Sequence, residues 1–90
     1  YYLDHVLPAS YHYKIDPVGQ DELWLFNETQ LQNILGGEAC MWTEYASRET
    51  VDSRIWPRAL AVAERLWSPS VQKDEEFLYR RLFRMNRLFY

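Results

Sequence analysis

Only one internal stretch of this chain reads as a β-strand, and two amphipathic helices follow it. Ile34 to Trp42 is a mostly apolar run, too short for a typical helix and interrupted by Gly36-Gly37. Paired glycines in such a run mark a bend or a close approach of backbone. Alternation predicts Glu38, Cys40, Trp42 and Glu44 on one side and Ala39, Met41 and Thr43 on the other. Residues 1–7 open the chain with an aromatic and apolar run, YYLDHVL, that reads as the end of another strand. Strand followed by helix is the α/β pattern. Two parallel strands alone leave both edges and both faces uncovered. The expected fold class is therefore α/β, with these units closing a larger barrel and the regular structure of the piece itself mostly helical.

From Ser53 the hydrophobic period becomes helical. Trp56, Ala59, Leu60, Ala63, Leu66 and Trp67 form an apolar stripe at helical spacing, with Pro57 suited to the first turn, where its missing N–H is not needed. Ser68-Pro69 stops this helix. Asp74 caps a second one, with Glu75 and Glu76 in its first turn, where the helix dipole favours them. Leu78, Leu82, Met85 and Phe89 form its expected buried stripe, and Arg80, Arg81, Arg84 and Arg87 read as a solvated face. Upstream, Pro8 and then Ala9 to Tyr13 begin a short helix or turn, and Asp16-Pro17 with Gly19 is turn chemistry. Residues 20–33 are mostly polar around an apolar island from Leu23 to Phe26. Asn27 to Gln30 carries capping residues and reads as a loop with one helical turn.

Charge and composition narrow the function. A net charge of −3 provides no electrostatic footprint for nucleic acid, and no apolar stretch approaches the ~20 residues that span a bilayer. Cys40 is the sole cysteine, so no intrachain disulfide can form. His5 and His12 lack zinc-like spacing to other ligands, and neither metal nor cofactor is expected. Four Trp, seven Tyr and four Phe are more aromatic mass than a core of ninety residues needs. They fit an aromatic-lined ligand pocket or an interface with further protein. The chain starts Tyr-Tyr-Leu-Asp, without Met or a basic leader, which reads as a cut through a longer protein.

Two short patterns carry chemistry. Tyr2-x-Asp4 and Trp42-x-Glu44 each set a ring and a carboxylate two residues apart, on one side of an extended chain, where a strand runs out into a loop. A pyranose needs this pair of groups. Its C–H face lies on the ring, and the carboxylate accepts charge-assisted hydrogen bonds from neighbouring hydroxyls. The spacing alone leaves core packing open as an alternative.

The linked blocks Gly36-Gly37-Glu38-Ala39-Cys40-Met41-Trp42-Thr43-Glu44-Tyr45, Trp56-Pro57-Arg58-Ala59 and Ala63-Glu64-Arg65-Leu66-Trp67-Ser68, with Tyr1-Tyr2-Leu3-Asp4 before them, resemble the C-terminal part of the catalytic barrel of β-N-acetylhexosaminidases, the family-20 glycoside hydrolases. The resemblance covers nearly the whole chain. It implies closing strand–helix units of a (β/α)8 TIM barrel, a fold of about 250 residues of which residues 1–90 would supply roughly the last third. It implies that Tyr2 hydrogen-bonds the substrate's acetamido oxygen, that Asp4 and Glu44 hold hydroxyls at the far side of the terminal sugar, and that Trp42 walls the pocket. The activity implied is removal of terminal non-reducing β-N-acetylglucosamine or β-N-acetylgalactosamine by substrate-assisted retention. The Asp-Glu pair that performs acid catalysis in the family lies upstream of these motifs, so the piece alone is expected to be inactive. Asp21-Glu22 sits in a polar link and reads as a solvated loop. Glu38 is expected to pair with an arginine inside the barrel. The resemblance suggests a periplasmic, secreted or lysosomal setting. A non-catalytic carbohydrate-binding or protein-assembly module is the alternative, and exposed apolar faces are expected to promote self-association of the isolated chain.

Overall fold

Pro57 divides what the periodicity presents as one helix. A proline disfavours helical backbone in the residue before it, and Trp56 is extended at φ −98° and ψ 139°. The computed structural model, which describes residues 1–17, 26–69 and 74–89, therefore has a short α3 (Val51–Ile55) followed by α4 (Arg58–Trp67). Before them come α1 (Ala9–Lys14) and α2 (Glu28–Gln32), and α5 (Glu75–Phe89) follows. The capping signals hold where they were read. The Asn27 side chain accepts from the Gln30 N–H while the Gln30 side chain accepts from the Asn27 N–H, each at 2.9 Å, a reciprocal box at the start of α2. The Asp74 carboxylate accepts the Phe77 N–H at 3.1 Å, with Glu75 and Glu76 in the first turn of α5.

The core forms where α1 lies on α4 and α5. Ala9 and Tyr13 of α1, Ala61 of α4, and Leu78 and Leu82 of α5 make one buried cluster, with Leu60 partly buried against it. Each large side chain there is worth about 1.5–3 kcal/mol of apolar burial. The face that α4 buries differs from the expected stripe. Arg58, Ala61, Val62 and Arg65 are the buried residues, and Trp67 is 92% exposed. The arginines are admitted because backbone carbonyls and a ring receive them. Arg65 lies over the Tyr13 ring at 4.7 Å and donates to the carbonyls of Tyr13 and Pro69. The apolar stripe is present but lines an open groove: Leu60, Ala63 and Trp67 face Leu82 and Met85 of α5. Met85, expected to be buried, is exposed, and the side chain of Phe89 lies outside the described residues. Arg80, Arg84 and Arg87 are exposed as expected, whereas Arg81 is half-buried and pairs with Glu64 of α4.

Strand structure is sparser than the alternation suggested. Among the described residues it is limited to a parallel bridge between Tyr2 and Cys40, with the Leu3 N–H donating to the Cys40 carbonyl and the Cys40 N–H to the Tyr1 carbonyl, both at 2.8 Å. Gly36 stands at φ 149°, a conformation open to glycine. Gly37 marks the close approach, since a Cβ there would stand 3.2 Å from the Tyr1 ring and 3.4 Å from Leu66. The apolar island at Leu23 to Phe26 and the Asp21-Glu22 pair fall, apart from Phe26, outside the described residues. No helix among the described residues is long and apolar enough to cross a membrane.

His12 is buried to 1% exposure, and among the described residues neither ring nitrogen has a hydrogen-bond partner. Burial, and then the positive charges of Arg58 and the N-terminus, lower its pKa from the usual 6.5. Below that value the unfolded chain takes up a proton that the folded chain refuses, so stability falls with pH. Denaturant melts at pH 7.5 and 5.5 should show this loss in the wild type, and His12→Gln should show a smaller one.

Candidate functional site

Asp4 joins the two aromatic–acid patterns. It is only 2% exposed, and its two carboxylate oxygens accept different backbone N–H groups, that of Trp42 at 2.7 Å and that of Glu44 at 2.9 Å. Between them Thr43 stands at φ 62°, a left-handed conformation that costs an L residue about 1–2 kcal/mol and is a genuine outlier for a β-branched one. A carboxylate receiving amides from both sides of the strained residue stabilises the turn, because bonds to an ionised acceptor are roughly twice as strong as neutral ones. Thr43 adds a bond of its own, from its hydroxyl to the Trp42 carbonyl at 2.6 Å.

The turn points its side chains into a shallow hollow of about 410 Å³ lined by Tyr1, Tyr2, Cys40, Trp42 and Glu44. Three of the four residues singled out from the sequence thus meet there, namely Tyr2, Trp42 and Glu44. Asp4 does not line it and lies beneath, holding the turn. Trp42 is 71% exposed, an aromatic face available to a ligand. The Tyr2 ring is held edge-on against His5 at 5.1 Å between centroids, and His5 in turn meets the Tyr45 ring at 5.9 Å. Tyr1 is fixed by its hydroxyl, which donates to the Ile15 carbonyl at 2.9 Å. Burial pushes its pKa up, with Arg65 opposing, so it stays a neutral donor. Glu38 is exposed and faces the Cys40 thiol at 3.8 Å; among the described residues it pairs with no arginine, contrary to expectation, because it lies in solvent where a carboxylate needs no ionic partner. Among the described residues no cluster of three or more His, Cys, Asp or Glu is arranged to hold a metal ion.

Arg58 also belongs to this construction, although hydrophobic periodicity discards an arginine from a buried face. Its guanidinium donates to the carbonyls of Leu3 and His5 at 2.6 Å each, Leu7 at 3.3 Å and Arg54 at 3.0 Å through Nε. Its sequence signals are its place in the block Trp56-Pro57-Arg58-Ala59 and its helical register with Ala61, Val62 and Arg65.

Similarity to known proteins specifies the class: residues 1–70 match the catalytic domain of glycosyl hydrolase family 20. The chain belongs to this family. It is 44% identical over 71 residues to the β subunit of mouse (Mus musculus) β-hexosaminidase, covering 79% of this chain. It is 43% identical over 75 residues to the human (Homo sapiens) β subunit, covering 81%, and 42% identical over 72 residues to the rat (Rattus norvegicus) α subunit, covering 78%. The chain spans about 12% of the length of these curated relatives.

Asp4→Asn keeps the shape of the side chain but leaves one acceptor where two are used. Hydrogen exchange should then accelerate at the Trp42 or Glu44 amide, while the Cys40 amide, bonded to the Tyr1 carbonyl, keeps its protection. Unchanged protection at both turn amides would rule out the strut.

Proposed function

We propose that residues 1–90 supply one flank of the active site of a β-N-acetylhexosaminidase that removes terminal non-reducing β-linked N-acetylglucosamine or N-acetylgalactosamine from glycans. The observation that carries this reading is the convergence of Tyr2, Trp42 and Glu44 on one hollow, in a chain whose family is hydrolytic. The hexosamine ring lies with its apolar face on Trp42. Glu44 accepts from hydroxyls at the far side of the ring. Asp4 uses one lone pair of each oxygen on the turn amides, which leaves others for a hydroxyl that reaches down to it.

Substrate-assisted retention assigns each group a task. The substrate's own acetamido oxygen attacks the anomeric carbon and forms a cyclic oxazolinium-like intermediate as the glycosidic bond breaks. A glutamic acid protonates the departing oxygen, and an aspartate beside it orients the acetamido group; both come from earlier strands of the barrel. Tyr2 donates from its hydroxyl to the attacking oxygen, a fixed donor whose hold strengthens as charge develops. Without the acid pair, residues 1–90 bind one side of the sugar and do not turn it over. Within the barrel, Tyr2–Cys40 bridging marks two neighbouring strands, the hollow lies at their C-terminal ends, and the groove between α4 and α5 is a face on which further chain packs.

In the full-length protein, Tyr2→Phe should lower kcat for a chromogenic N-acetylhexosaminide by about 10²-fold, the effect of deleting one such donor. Trp42→Ala should lower kcat/KM by about ten-fold or more, the loss expected for roughly 1.5 kcal/mol of apolar contact. Near-wild-type kinetics in both variants would overturn the assignment.

A further inference from the structure

We propose that Arg58 is a positioning residue for this hollow: its guanidinium clamps the backbone on both sides of Asp4, and Asp4 in turn sets the Trp42–Glu44 turn. The inference rests on the reading of the hollow as the hexosamine site.

The two shortest bonds that Arg58 makes within residues 1–7 go to the carbonyls of Leu3 and His5, the residues immediately before and after Asp4. A third goes to Leu7. The segment thus has three carbonyls drawn to one planar fork, which anchors its backbone where the parallel bridge at Tyr2 ends. The fork itself is held from the other side. Arg58 is 8% exposed, and its Nε and one terminal nitrogen donate to the Arg54 carbonyl in the last turn of α3, a C-terminal group with no helical partner of its own. The order of support runs from α3 and α4 through Arg58 to the carbonyls of residues 3 and 5. From there it passes through the Asp4 carboxylate to the amides of residues 42 and 44, which flank Thr43 at φ 62°. An error of about 1 Å in a support of this kind is enough to cost 10²-fold in rate.

Lysine separates positioning from plain helix capping. Its ammonium can still reach the Arg54 carbonyl, but it lacks the rigid fork that spans carbonyls on two segments. In the full-length protein, Arg58→Lys should lower kcat/KM on a chromogenic N-acetylhexosaminide ten-fold or more. Asp4→Asn should then cost far less in the Arg58→Lys background than in the wild type, because both act through one support. Multiplicative effects of the two substitutions, or wild-type kcat/KM in Arg58→Lys, would overturn the proposal.

Hydrogen exchange on the unmodified full-length protein tests it without a variant. Saturating N-acetylglucosamine should slow exchange in peptides covering residues 5–7 as well as 40–45, although residues 5–7 do not line the hollow. Protection confined to 40–45 would overturn the role of Arg58 and leave the sugar site standing. Protection of neither segment would remove the sugar site itself.

Discussion

A buried carboxylate with an amide on each oxygen is the joint on which this structure turns. Asp4 comes from one side of the parallel bridge and its donors come from the other, so one side chain joins residues 38 and 40 positions apart. The parallel bridge at Tyr2 and Cys40 brings the two backbones alongside, and Asp4 extends that pairing beyond the point where regular hydrogen bonding stops. The turn it stabilises contains a non-glycine residue in left-handed conformation. Backbone strain of this kind persists only where surrounding groups over-determine it, and it clusters at ligand sites. Here the consequence is visible: Trp42 and Glu44, either side of the strained residue, face one hollow together with Tyr2.

The helices serve this arrangement with a division of faces. α4 turns Arg58 and Arg65 inward, where a charged group is tolerated only if carbonyls or rings receive it. Arg58 spends its donors on residues 3 to 7 and on the end of α3, and Arg65 spends its own on Tyr13 and Pro69. Two arginines one heptad apart thus fasten backbone between Leu3 and Tyr13 to α4. The opposite side of α4 is apolar and open, with Trp67 almost fully exposed beside Met85 and Leu82 of α5. This open apolar groove lies on a chain that spans about 12% of the length of the relatives it matches.

How much of this was legible in the residues depends on which physical signal each part leaves. Caps were legible, because Asn27, Gln30 and Asp74 act on amides within three residues and need no tertiary context. The aromatic–acid spacing was legible for Tyr2, Trp42 and Glu44. The downward turn of Asp4 was not, since nothing in Tyr-x-Asp shows that amides 38 and 40 residues away will claim both its oxygens. Pro57 suits a first helical turn by sequence, yet its effect on Trp56 moves the start of α4 to Arg58. The inward face of α4 was misread for a reason of principle. Hydrophobic periodicity scores an arginine as solvent-facing, whereas a guanidinium with several carbonyls to satisfy is a core residue. The apolar run from Ile34 to Trp42 looks like a strand, yet a strand is defined by its partners, and among the described residues its backbone pairs with residues 1–3 at Glu38 and Cys40 alone. Glu38 followed the same misreading outward.

In the proposed site the turn held by Asp4 presents Trp42 and Glu44, opposite Tyr2, to a single hexosamine ring. A crystal structure of the full-length protein with N-acetylglucosamine bound tests this most directly. The expected complex has the sugar's C–H face on the Trp42 ring, a Glu44 oxygen within hydrogen-bond distance of a ring hydroxyl, and the Tyr2 hydroxyl at the acetamido oxygen. A sugar bound elsewhere, with Tyr2, Trp42 and Glu44 on separate surfaces, would contradict it.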